Sequence, residues 1–232
     1  MLRVGLTGGL GSGKTTVGQI FHALGAYIIE ADTLGRELMS PGQPAYHAIV
    51  EHFGSGVVSA DGTLNRGLLA DLAFRQNRIA ELNRIVHPFV IAAQQAWADA
   101  LFAKDPHAVA IVESALIFEA DQQGSAPGWR QRFDRIIFVT APVELRITRY
   151  VDRMMYFFDL AKDLSNPPSR ADLEADARRR IAAQMLDSEK IPFADYVIHN
   201  DGSIKATRVE VERIFAQLER ASRSEIAKSM KA

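Results

Sequence analysis

Near the start of the chain, Gly8-Gly9-Leu10-Gly11-Ser12-Gly13-Lys14-Thr15-Thr16 combines a glycine-rich run with a lysine and two hydroxyls. It fits G-x-x-x-x-G-K-[ST], with Gly8, Gly13, Lys14 and Thr15 in the fixed places. The chemistry this spacing serves is the binding of a triphosphate. A loop with little Cβ bulk can turn successive backbone N–H groups inward, and a helix opening near Gly13 adds its unpaired N–H groups and positive dipole end. Lys14 is placed to reach the β- and γ-phosphates. Thr15 is placed to ligate Mg²⁺ and Thr16 to touch the α-phosphate. The bland alternative is an ordinary glycine-rich turn between a strand and a helix. The flanks argue against it: the segment from Leu2 to Thr7 reads as a buried strand, and Val17, Ile20, Phe21 and Leu24 lie on one helical face.

Carboxylates stand at two strand ends, where open α/β sheets bind ligands. Tyr27-Ile28-Ile29 runs into Glu30-Ala31-Asp32, and Val109-Ala110-Ile111-Val112 runs into Glu113. Asp32 could accept a proton from a substrate hydroxyl, or help hold Mg²⁺ through water. It could equally cap a helix starting at Thr33, and the two roles are compatible. Glu113 resembles a second metal-site acid, with a helix-start or loop residue as the alternative. Between Arg146 and Arg180 the chain is rich in arginine: Arg146, Arg149, Arg153, Arg170, Arg178, Arg179 and Arg180. Arginine suits a lid that grips phosphate, while a solvated face paired with Asp152, Glu174 and Asp176 is the plainer explanation. The phosphate loop favours the first for Arg149 and Arg153, one turn apart on one face.

The elements around these residues alternate between strand and helix, which specifies an α/β fold with a parallel sheet of five strands. Helices are expected at 33–39, 45–53, 66–75, 77–86, 88–104 and 203–230. His87 falls at a boundary and Pro88 opens the helix that follows. The run of helices after the second strand makes a helical insert beside the sheet, one wall of an acceptor pocket. The chain has 232 residues, 47% hydrophobic and 24% charged, with net charge −1 and no cysteine. That excludes disulfides and thiolate zinc sites and gives no broad electrostatic attraction for nucleic acid. No apolar run reaches the ~20 residues of a membrane span. The chain opens directly on a strand, so no signal peptide is expected and a cytoplasmic location fits.

The ordered motifs resemble one family, the dephospho-CoA kinases. The resemblance is carried by residues 5–16, by Glu30-Ala31-Asp32 followed by Arg36, and by Asp61-Gly62 with Asn65-Arg66. It continues through Ile85-Val86-His87-Pro88, Leu116-Ile117-Phe118-Glu119, residues 134–139, Arg149 and Arg153, Ile181-Ala182-Ala183-Gln184, and Ala194-Asp195 leading to Asn200. It implies a P-loop kinase: a three-layer α/β/α core at 1–35, 105–144 and 190–232, a helical CoA-binding domain at 36–104, and a lid at 145–189. It implies transfer of the ATP γ-phosphoryl to the ribose 3′-hydroxyl of dephospho-CoA, with Mg²⁺, in a monomer or weak homo-oligomer. Lys14, Asp32 and Arg149 would be catalytic. ATP would be held by Gly11, Ser12, Gly13, Lys14, Thr15, Thr16, Arg149 and Arg153, and the metal by Thr15. Thr7, Asp32, Arg36, His87, Leu116, Phe118 and Glu119 would form the acceptor site. His87 by itself reads first as a packed or capping residue at a helix boundary. The alternatives are another small-molecule or nucleoside kinase of the same fold, and a regulatory NTP-hydrolysing switch. The sequence departs from the family with Glu30 in place of Asp, with Ala115-Leu116-Ile117-Phe118 in place of Pro-Leu-Leu-Phe, and with an apparent insertion at 154–169. The apolar Met154-Met155-Tyr156-Phe157-Phe158 in that insertion is expected to lengthen the lid helix and pack within the lid or on a neighbouring subunit.

Overall fold

A computed structural model describes residues 1–76, 78–161 and 167–229. The strands are β1 (Leu2–Thr7), β2 (Tyr27–Glu30), β3 (Val109–Glu113), β4 (Arg135–Thr140) and β5 (Tyr196–His199). The helices begin with α1 (Lys14–Ala23), α2 (Ala31–Leu38), α3 (Pro44–Phe53), α4 (Arg66–Ala70) and α5 (Ile79–Lys104). They continue with α6 (Ile117–Gln122), α7 (Trp129–Arg132), α8 (Val143–Ala161), α9 (Arg170–Ala182), α10 (Asp187–Lys190) and α11 (Ile204–Ser229). No helix among the described residues is long and apolar enough to cross a membrane. The expected helix start at Asn77, the end at Met230 and residues 162–166 of the insertion lie outside the described residues. The chain forms two compact units. The first contains Met1–Ile28, His107–Leu116 and the chain from Phe133 onward; the second contains Ile29–Pro106 and Ile117–Arg132.

In the first unit the sheet runs in the order β2-β3-β1-β4-β5. β1 pairs in parallel with β3 and with β4, Val4 lying opposite Ile111 on one side and Arg135 on the other, and β4 pairs in parallel with β5. The connection after β1 runs to one side of it and the connection after β3 crosses to the other, so the loop after β1 opens near a switch point of the sheet. The interiors of the central strands are mostly apolar because both faces are covered, with the polar Arg3, Glu113 and Arg135 at or near their ends. Leu6, Ile111, Ile137 and Ile198 are fully buried and pack with Val17, Phe21, Val211, Ile214 and Leu218 from α1 and α11. The Phe21 and Phe215 rings meet edge to face at 6.3 Å.

Helices α8 and α9 pair through Ile147, Tyr150, Val151, Leu173 and Ala177. Helix α8 runs on through the start of the insertion, and Met154, Met155 and Phe158 pack into this cluster, while Tyr156 and Phe157 stay exposed. Ser169 and Asp172 form a capping box that starts α9.

The second unit has its own core around Ile49, Val57, Leu64, Leu69, Val86 and Val90. Here the structure corrects the sequence expectation of a break at His87-Pro88. α5 is one helix of 26 residues with Pro88 inside it. An interior proline costs about 3 kcal/mol, because it removes one hydrogen bond and crowds the preceding turn. Burying Val86 and Val90 on either side of it offsets this at about 1.5–3 kcal/mol each. Packing therefore wins over the local breaker. The expected helix over 66–75 is α4 followed by a π-helical turn at Asp71–Arg75.

Candidate active site

The phosphate loop begins where β1 ends and turns over before α1. Two of its glycines are irreplaceable by geometry. Gly11 has φ +71° and a Cβ there would fall on the Arg146 backbone carbonyl; Gly13 has φ +90° and a Cβ there would fall on the Asn200 side-chain amide. Gly13 also caps α1 without a side chain to satisfy the first turn, and that turn holds no acidic residue. The helix N-terminus keeps its N–H groups and positive dipole end for an anion.

The Lys14 ammonium donates to the carbonyls of Gly8 at 2.9 Å and Gly9 at 3.2 Å, which keeps the cation against the loop. The Thr15 hydroxyl donates to Glu113 Oε1 at 2.9 Å. The acid ending β3 and the hydroxyl opening α1 thus share one point. Thr7 and Ser12 are fully buried, and their hydroxyl oxygens have no hydrogen-bond partner among the described residues.

Three side chains from distant segments hold the loop from behind. Asn200, just past β5, donates to the Ser12 carbonyl at 2.9 Å and accepts from the Thr207 hydroxyl at 2.9 Å. Arg146 on α8 is 3% exposed. Its Nε donates to the Leu10 carbonyl at 2.9 Å, and its Nη1 pairs with Asp187 at 3.3 Å. Asp187 also accepts from the Thr140 hydroxyl at 2.6 Å. Gln184 accepts the Leu10 N–H at 3.0 Å. Sequence reasoning grouped Arg146 with the lid arginines and gave Asn200 and Gln184 no role beyond resemblance. Each acts on residues far away in the chain, which no local pattern displays.

The arginines expected in the lid divide. Arg149 is half-buried, and its Nη1 lies 3.5 Å from the Ser12 carbonyl, at the loop. Arg153 is exposed, with its guanidinium 5.9 Å from the centre of the Tyr150 ring. Arg170 pairs with Asp152 and Glu174, Arg178 with Glu144, and Arg179 and Arg180 with Asp176. These four form the solvated, paired face that was the plainer expectation.

The second unit carries most of the expected acceptor residues. Asp32 is exposed in the first turn of α2, but it is not the cap: Glu30 holds that position, and no side chain makes a cap hydrogen bond. This corrects the alternative that Asp32 serves to start a helix at Thr33. One turn on, Arg36 Nε donates to the Asp32 carbonyl at 3.1 Å and its Nη2 to the Thr33 hydroxyl at 3.2 Å.

His87 is interior to α5 rather than at a helix boundary. Its Nδ1 lies 3.1 Å from the Ser125 hydroxyl oxygen, and that hydroxyl donates to the Ala120 carbonyl at 3.2 Å. Burial holds the His87 imidazole below its usual pKa; the Arg132 guanidinium acts the same way, while Ser125 and the Asp32 carboxylate oppose it. Phe118 is buried edge-on to Trp129 at 5.2 Å, and Glu119 is buried in the same helix. Leu116, in the first unit, is 39% exposed.

Comparison with known proteins adds to this geometry. The family model described as dephospho-CoA kinase matches residues 2–206. The chain belongs to the dephospho-CoA kinase family. A dephospho-CoA kinase of Corynebacterium glutamicum is 34% identical over 220 residues, covering 94% of this chain and 98% of that protein. One of Aquifex aeolicus is 33% identical over 226 residues, covering 95% and 99%. Among solved structures, Thermus thermophilus TT1252 superposes with a TM-score of 0.68 at 25% identity, covering 94% and 97%. A dephospho-CoA kinase of Campylobacter jejuni, at 22% identity, shares the fold with a TM-score of 0.63, covering 94% and 98%. The five-stranded sheet with its flanking helices is the P-loop kinase fold.

Proposed function

We propose that this kinase transfers the γ-phosphoryl of ATP to the ribose 3′-hydroxyl of dephospho-CoA, the last step of coenzyme A synthesis. The observation that carries the reading is the glycine cradle with Thr15 and Glu113 joined at its mouth, in a chain that matches the family over residues 2–206. Another acceptor of the same fold class, or a regulatory NTP-hydrolysing switch, is not favoured by a family match of that extent.

Phosphoryl transfer asks a protein mainly for positioning and charge stabilisation. The loop N–H groups of Gly11, Ser12 and Gly13, with Thr16, hold the nucleotide phosphates, and Lys14 neutralises charge on the group that moves. Arg149, already at the loop, and Arg153 one turn beyond are the lid cations that close over the nucleotide. Asp32 accepts the proton of the attacking hydroxyl. Its exposure, and its freedom from a capping duty, leave the carboxylate available for this. Arg36, His87, Phe118 and Glu119, with Thr7 and Leu116, shape the acceptor site. On this reading residues 36–104 form the acceptor domain and 145–189 the lid.

The Thr15 hydroxyl and the Glu113 carboxylate are hard oxygen donors 2.9 Å apart, a set that fits Mg²⁺. When bound, Mg²⁺ supplies charge neutralisation at the β- and γ-phosphates. No cluster of three His, Cys, Asp or Glu stands among the described residues, as befits an ion held largely by substrate phosphate and water. The test is an acceptor panel with ATP and Mg²⁺. Dephospho-CoA-dependent formation of ADP supports the reading; acceptor-independent hydrolysis, or turnover confined to another alcohol, refutes it.

A further inference from the structure

Leu10 is the odd residue of the phosphate loop. Glycines stand on both sides of it, and the motif leaves its identity open. A leucine side chain offers a phosphate nothing, and the Leu10 backbone N–H is already spent on Gln184 Oε1 at 3.0 Å. Leu10 therefore adds no donor to the cradle. Its groups turn instead to two helices outside the loop. The N–H goes to Gln184, two residues past the end of α9. The carbonyl accepts from Arg146 Nε on α8 at 2.9 Å. The side chain, half-buried, packs against the cluster of Ile147, Tyr150, Val151, Leu173 and Ala177 that joins α8 to α9.

The neighbours of Leu10 tighten the same contact. A Cβ at Gly9 would fall on the Arg146 guanidinium, and one at Gly11 would fall on the Arg146 carbonyl. The loop from Gly9 to Gly11 thus lies directly on the first turns of α8. One turn further along that helix, Arg149 Nη1 stands 3.5 Å from the Ser12 carbonyl. A loop that tightens around an anion moves Leu10 with it. Leu10 is tied by backbone and side chain to both helices, and close-packed contacts pass a displacement on rather than absorb it.

We propose that Leu10 is a positioning residue: it locks the α8–α9 pair to the phosphate loop, so that a nucleotide on the loop orders both helices and sets Arg149 over the phosphates. Leu10 acts through Arg149 and touches no substrate itself. The role of Arg149 rests on the functional reading above; the coupling of loop to helices does not.

A leucine that only fills space is the plain alternative, and the two differ in what a nucleotide does. Hydrogen exchange of the whole protein, followed by mass spectrometry with and without ADP and Mg²⁺, separates them. In the parent protein ADP slows amide exchange in α9 and through Gln184 by about tenfold, because a ligand that favours the ordered state lowers the population of local openings. Leu10→Ala, held at an ADP concentration that saturates it by titration calorimetry, loses most of that slowing. Its kcat with dephospho-CoA falls by about tenfold to a hundredfold, while KM for dephospho-CoA moves less than about twofold, as expected when a charged group is misplaced rather than lost. Leu10→Met restores apolar bulk and recovers both. If Leu10→Ala does not fold, Gln184→Met carries the test, since it removes the acceptor of the Leu10 N–H and loses part of the slowing. Equal protection of α9 by ADP in the variants and the parent, or no protection of α9 in the parent, overturns the coupling, whether or not the parent phosphorylates dephospho-CoA. An unchanged kcat in Leu10→Ala overturns the positioning of Arg149. A parent protein that binds ADP and protects α9 but leaves dephospho-CoA unphosphorylated overturns the functional reading and leaves the coupling standing.

Discussion

Arg146→Met removes the cation behind the phosphate loop while keeping a long, flexible side chain in its place. Two losses follow. The charge-assisted bond from Nε to the Leu10 carbonyl is worth about 1.5–3 kcal/mol. Asp187 then loses its cation, and breaking a fully buried pair costs about 3–5 kcal/mol. Asp187 is not fully buried, since its side chain is 26% exposed and it keeps the Thr140 hydroxyl at 2.6 Å, so this second loss belongs well below that range. The sum is about 3 kcal/mol. In a chain of this length each kcal/mol shifts the melting temperature by about 2–4 °C, so the expected fall is about 6–12 °C. Circular-dichroism melts at fixed pH measure it. Asp187→Asn in the same background separates the two losses, because the double variant should be less destabilised than the sum of the singles. The loop is the element Arg146 braces, so KM for ATP also rises, by about tenfold, more than KM for dephospho-CoA does. A fall under about 2 °C with an unchanged KM for ATP would show that Arg146 merely fills space.

Other outcomes follow from the same geometry. Lys14→Ala and Asp32→Asn each lower kcat by about 10²–10⁴, and Asp32→Asn largely spares ATP binding; a near-normal rate for Asp32→Asn in a coupled ADP assay removes its role as base. Glu113→Gln weakens Mg²⁺ binding, so half-maximal activity needs severalfold more of the ion, read from a Mg²⁺ titration at fixed ATP. Partial burial holds the half-buried His87 imidazole below its ordinary pKa in the fold, so the unfolded chain takes up protons first and stability falls as pH drops below about 6.5. His87→Asn flattens that part of a plot of melting temperature against pH; an unaltered slope contradicts the lowered pKa.

Local signals made much of this protein legible. The phosphate loop, its strand and its helix are consecutive, and the short, mostly apolar runs of β1, β3 and β4 suit strands buried on both faces. The site residues with local grammar, Lys14, Thr15 and Asp32, lie where their motifs put them in the chain. What escaped was set by packing. Pro88 reads as a helix start because proline usually is one, and only the burial of Val86 and Val90 against the second core keeps α5 continuous. Asp32 reads as a cap because Asp is a good one, but the helix begins earlier, at Ala31. Arg146 and Asn200 brace the loop across separations of 136 and 188 residues, which no spacing rule reaches. The insertion was legible in part. Its apolar run needed cover, and Met154, Met155 and Phe158 find it in the cluster between α8 and α9 while Tyr156 and Phe157 do not.

The most direct test of the account is to follow the phosphoryl group. The protein is incubated with ATP, Mg²⁺ and dephospho-CoA, and the phosphorus spectrum and mass of the product are recorded. The account predicts one new phosphate monoester on the ribose 3′-oxygen, formed in equal amount with ADP and absent without the protein. ADP released with no phosphorylated acceptor, or a phosphate placed on any other oxygen, would contradict it.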